Sequence, residues 1–221
     1  MRIAALALLM GSTLIAIGGC GGASEKSTPA ELRLQREDLV AVARVLRTVE
    51  GPVAKEVTAT KTAWPLVANG LPAQRTSIAR APIAAAAESA AKITLPGLFG
   101  EAEAASLTGP ASQLAGLFRT FSLLAARGWR LIGSATEQIE HGSPVAARFE
   151  RENVALYIDS VYDSHFSLAQ IGKLLLAGYL KLGGPTAFGS AFTQREVDAL
   201  ADTYSEATDR LHPHAGVHLG S

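Results

Sequence analysis

The sequence predicts an all-α fold, a single-domain bundle of five to seven helices over residues 29–212. Three observations predict it. Apolar residues recur three, four and seven apart along most of the chain. Two capping boxes, Thr28-Pro29-Ala30-Glu31 and Thr193-Gln194-Arg195-Glu196, open helices, and glycine–proline steps close them. No segment alternates apolar and polar side chains as a half-buried strand does.

The first helix starts at Pro29, where a missing N–H breaks no intrahelical bond. Leu32, Leu39, Val42, Leu46 and Val49 form its apolar face, and Gly51-Pro52 is expected to stop it. A weaker helix is expected over 53–64, because Val57, Thr58, Thr60 and Thr62 favour other states. Trp64-Pro65 and Asn69-Gly70-Leu71-Pro72 break the chain. Residues 73–93 are alanine-rich and read as helical, with a kink or break near Pro82. Pro96-Gly97 and Gly109-Pro110 bracket a short amphipathic piece.

Residues 110–141 carry the clearest amphipathic stripe. At 100° per residue Leu114, Leu117, Phe118, Phe121, Leu124, Leu131, Ile132 and Ile139 share one face. Arg119, Arg127 and Arg130 lie opposite, where they could meet anionic headgroups or simply water. Gly142-Ser143-Pro144 leads into a helix over 144–162, with Phe149, Leu156, Ile158 and Val161 as its apolar positions. A bend is expected at 163–166, then a helix over 167–182 stopped by Gly183-Gly184-Pro185. The second capping box opens a last helix through Val197, Leu200, Tyr204 and Leu211 to His212-Pro213, leaving 213–221 as a tail.

Composition narrows the functional classes. Lysine and arginine total 20 and so do aspartate and glutamate, which argues against nucleic acid as a partner. The chain has one cysteine, Cys20, so no internal disulfide can form. Arg2 followed by the uncharged run Ile3–Ile17 is shorter than the roughly 20 apolar residues of a membrane span and has the layout of a signal peptide.

That run ends in Ile17-Gly18-Gly19-Cys20, which resembles the lipobox of bacterial lipoproteins: an aliphatic residue, two small residues and a cysteine. Isoleucine stands where leucine is commoner. The resemblance covers only about the first 20 residues. It implies that residues 1–19 are cleaved and that Cys20 carries a diacylglycerol thioether and further acyl chains. Residues 20–28 then form a lipidated tether, and the domain is exported and held on the cell membrane or outer membrane, facing periplasm or exterior. Two or three acyl chains suffice for stable anchoring in a bilayer.

The catalytic signatures tested are absent. There is no His-Glu-x-x-His, no Gly-x-Ser-x-Gly, and no Glu-x-x-His, since Gln138 precedes His141 and Tyr162 precedes His165. Gly172-Lys173 has Ser167 where a phosphate loop needs glycine. Three weaker constellations remain. His212, His214 and His218 could hold copper, zinc or nickel, or belong to a frayed end. Tyr157, Asp159, Tyr162, Asp163 and His165 could form a cation or sugar site; otherwise Arg148, Arg151 or another helix pairs with the acids, or Asp163 caps the next helix. Glu137 and His141, one turn apart near Trp129, could support acid–base chemistry or be a solvated pair.

The expectation is a non-enzymatic, lipid-anchored protein that binds or scaffolds an envelope protein or small ligand. No cofactor is expected beyond the lipid on Cys20. The alternatives are metal handling by the terminal histidines and an envelope hydrolase using Glu137, His141, Asp159 or Asp163.

Overall fold

The computed structural model describes residues 27–71 and 75–211. Cys20 with the rest of the lipobox, and His212, His214 and His218, lie outside them. Among the described residues the fold is an all-α bundle with no strand. Its helices are α1 (Pro29–Val67), α2 (Thr76–Ala91), α3 (Glu101–Ser106), α4 (Gly109–His141), α5 (Pro144–Lys181), α6 (Gly184–Phe188) and α7 (Gln194–Ser205). Single 3₁₀ turns occupy Gly97–Phe99 and Glu206–Thr208.

Both predicted capping boxes are present. Thr28 Oγ1 accepts from the Glu31 N–H at 3.2 Å, and Glu31 accepts from the Thr28 N–H at 2.7 Å. Thr193 and Glu196 repeat the exchange at the start of α7. α4 begins differently, because its N-cap Thr108 makes no capping bond of its own. Asp38 on α1 accepts from both the Thr108 N–H (2.8 Å) and its hydroxyl (2.6 Å), tying the two helices together.

Two sequence expectations are corrected. Gly51-Pro52 and Trp64-Pro65 do not end α1, which runs through both prolines. The reason is the apolar spacing. Leu39, Leu46, Val53, Thr60 and Val67 are buried at intervals of seven, with Val42, Glu56 and Ala63 buried between them. A proline inside a helix costs roughly 3 kcal/mol, and breaking α1 at Pro52 would turn this whole seam out of the core. Likewise α5 does not bend at 163–166. Ala147, Val154, Val161, Leu168, Leu175 and Leu182 hold the same interval of seven, as do Ala111, Phe118, Ala125, Ile132 and Ile139 on α4. A repeat of seven is the spacing of knobs-into-holes helix packing.

The hairpin of α4 and α5, turned at Gly142 and Ser143, makes the most extensive helix contact. α2 covers α4, α7 covers α5, and α1 touches all four. Gly128 and Gly172 permit the closest approaches. A Cβ on Gly128 would sit 2.6 Å from Val161 Cγ2, and one on Gly172 would overlap the Ala201 carbonyl and Ser205 hydroxyl of α7. Phe149 and Leu156, expected to face inward, are 58% and 57% exposed and share an outer stripe of α5 with Val145. They stand apart from the buried seam of that helix.

Candidate functional site

The bundle core contains a continuous polar chain. Glu56 and Thr60 come from α1, Trp129 from α4, and Ser164 and His165 from α5; all but Ser122, Thr136 and Thr76 of the buried polar side chains belong to it. Each of its members is 0% exposed, so no water reaches them from the surface. Trp129 Nε1 donates to Thr60 Oγ1 at 2.9 Å, and the Thr60 hydroxyl donates to Glu56 Oε1 at 2.9 Å. Glu56 Oε2 lies 3.0 Å from His165 Nε2.

The far side of the imidazole fixes its tautomer. Val161 O lies 2.9 Å from Nδ1 and can only accept, so Nδ1 carries a hydrogen. Ser164 Oγ, itself donating to Val161 O at 2.7 Å, lies 3.1 Å from Nδ1 and shares that hydrogen. A hydrogen on Nε2 is donated to Glu56 Oε2, and the imidazolium–carboxylate pair so formed has zero net charge, which is what an apolar core tolerates. Burial pushes the imidazole pKa down, but the Glu56 carboxylate, by charge and hydrogen bond, and the Val161 carbonyl outweigh it and raise it. Phe121 packs edge-on to the ring at 5.7 Å.

This arrangement divides the expected α5 cluster. His165 faces the core, Tyr157 and Tyr162 are half-buried, and Asp159 and Asp163 are exposed. Residues two apart on a helix point about 200° apart, so Asp163 and His165 cannot face one site. Arg148 pairs with Glu152 at 2.9 Å rather than with either aspartate, and Asp163 caps nothing because α5 continues through it. Burial, then the neighbouring Asp159, raise the Asp163 pKa. Tyr162 packs against Trp64 at 6.2 Å.

Glu137 and His141 lie beside the turn of the hairpin. Glu137 lines a groove of about 340 Å³ between α2 and α4, together with Arg80 and Arg130. Arg80 donates to Glu140 and to His141 Nε2, both at 3.1 Å. Asp159 and Asp163 do not line this groove. Arg119 is paired with Glu101 at 2.9 Å, while Arg127 and Arg130 are exposed. No metal-holding group of three or more ligands occurs among the described residues.

Sequence reasoning missed Glu56, Thr60 and Trp129 as partners of His165. The available signal was positional: Glu56 and Thr60 fall on the apolar seam of α1, ten and fourteen residues after Leu46. Comparison with protein families, with characterised proteins and with solved structures found no match.

Proposed function

We propose that this chain is an exported, lipid-anchored helical protein that binds or scaffolds a component of the cell envelope without catalysing a reaction on it. The observation that carries the reading is Cys20, the single cysteine of the chain, at the end of Ile17-Gly18-Gly19. The sealed polar chain supports the non-catalytic part: its acid–base pair is inaccessible, and the remaining candidate acids and His141 occupy separate outer faces. No helix among the described residues is long and apolar enough to cross a membrane, so attachment in this reading falls to the lipid.

Replacing Cys20 with serine tests it. The parent chain is expected to incorporate labelled palmitate and partition into the detergent phase, and Cys20→Ser to do neither. Unchanged processing and partitioning would refute the anchor. A second reading rests on three imidazoles within seven residues, His212, His214 and His218, as a metal site. Equal copper and zinc affinities of the full chain and a chain ending at Leu211 would end it.

A further inference from the structure

Between α1 and the chain from Leu182 to Leu200 runs a furrow that the core leaves open. One part, of about 350 Å³, lies between Arg36 and Arg44 over Val40, Ala187, Phe188 and Ala191. A second part, of about 110 Å³, continues from Arg44 to Arg47 over Phe192 and Leu200. Arg44 and Ala191 line both, which makes the furrow continuous. Arg36 to Arg47 spans roughly 16 Å of helix axis. The rings of Phe188 and Phe192 are backed by the buried Tyr179, at 4.8 and 5.8 Å between centroids, so the floor is rigid as well as apolar.

The charge on this furrow is unbalanced. Arg36 Nε donates to Leu182 O at 2.8 Å, and its two Nη groups have no partner among the described residues. Arg44 is exposed and has neither hydrogen bond nor ion pair among them. The two acids on the rim each hold an arginine other than Arg36 and Arg44. Glu37 pairs with Arg33 at 2.8 Å, and Glu196 holds Arg47 at 2.8 Å while capping α7. The groove between α2 and α4 differs, because Glu137 stands beside its two arginines and Glu140 pairs with one of them.

We propose that the furrow binds a single-chain anionic amphiphile, a fatty acid of no more than about twelve carbons. Its carboxylate sits on the Arg44 guanidinium and the unpaired Nη groups of Arg36, and its chain lies over Phe188 and Phe192. Guanidinium forks match a carboxylate with two parallel N–H donors. Carbon–carbon bonds of about 1.5 Å, shortened by the zigzag, limit the chain that fits the available length. The proposal deepens the binding reading by naming a ligand class, and it does not depend on acylation of Cys20.

The test is photolabelling of the full chain in neutral phosphatidylcholine nanodiscs, using dodecanoate with a terminal diazirine. Label is expected on the segments around Phe188–Phe192 and Val40–Arg47, displaced by excess dodecanoate and not by dodecanol. Arg44→Gln is expected to raise the dodecanoate needed for displacement about tenfold, the loss of one charge-assisted contact. Ala191→Phe fills the furrow at an exposed alanine and is expected to abolish label with helix content and Tm unchanged. Label indifferent to Arg44→Gln, or displaced equally by dodecanol, overturns carboxylate recognition. Label obtained only from a diacyl phosphatidylglycerol probe overturns the proposal in favour of a bilayer headgroup contact. The same labelling is read in Cys20→Ser: retained partitioning there sinks the anchor alone, and absent label in both chains sinks the amphiphile site alone.

Discussion

Glu56 and His165 meet where water cannot screen or replace either of them. Removing one partner leaves the other buried without its proton-sharing contact, so His165→Ala is expected to destabilise the protein by about 3–5 kcal/mol in urea unfolding. The double change Glu56→Leu with His165→Phe removes both polar groups and is expected to cost less than either single change, because no orphan remains. The imidazole pKa is raised in the folded state. Its stabilising contribution is therefore complete below the unfolded value of about 6.5 and is lost as pH rises through the higher folded value. Urea midpoints measured from about pH 5 to 9 should fall through that window in the parent and not in the double variant. The pair was half legible in the sequence. His165 stood out as a histidine among aromatic and acidic neighbours, whereas Glu56 resembled any solvated helix acid. Only its place on the seam of α1, three residues after Val53 and four before Thr60, distinguished it.

Helix interfaces show where local rules yield to packing. Gly172 lets α7 lie directly on α5, so Gly172→Ala is expected to cost about 1–3 kcal/mol, read as a lowered Tm. Pro52 sits inside a helix that continues regardless, so Pro52→Ala is expected to stabilise by about 1 kcal/mol or more, as the Thr48 carbonyl regains its bond. All-helical character, the two capping boxes and the α4 stripe were legible because each is a local pattern. Helix continuity was not. Proline and threonine signal a break when weighed alone, while the unbroken interval from Leu39 to Val67 is apparent only over four heptads. Phe149 and Leu156 misled for the same reason: hydrophobicity marked them as inward, but their angular position lies off the seam of Val154 and Val161.

At the level of the entire molecule, acid acts through a different group from base. Glu196 caps α7, accepts from Arg47 and has its pKa lowered to about 2 by the Thr193 backbone N–H, then Arg47 and the Thr193 hydroxyl. Its contribution is present above the unfolded value of about 4.5 and fades as pH falls toward 2. Loosening of α7 from α1 should therefore precede global unfolding on acidification, measurable as faster amide exchange in Gln194–Ser205 than in α4. α1 also acts as a ruler. Its 39 residues extend for about 58 Å. The eight residue steps from Cys20 to Thr28 add at most roughly 28 Å of reach. With a lipid on Cys20, the amphiphile furrow begins about 10 Å beyond the helix start, near the source of acyl chains, while the sealed Glu56 layer stands some 40 Å along the same rod. On the proposed anchor, one uninterrupted helix would join the furrow, a few turns from the tether, to the sealed Glu56 layer midway along the bundle.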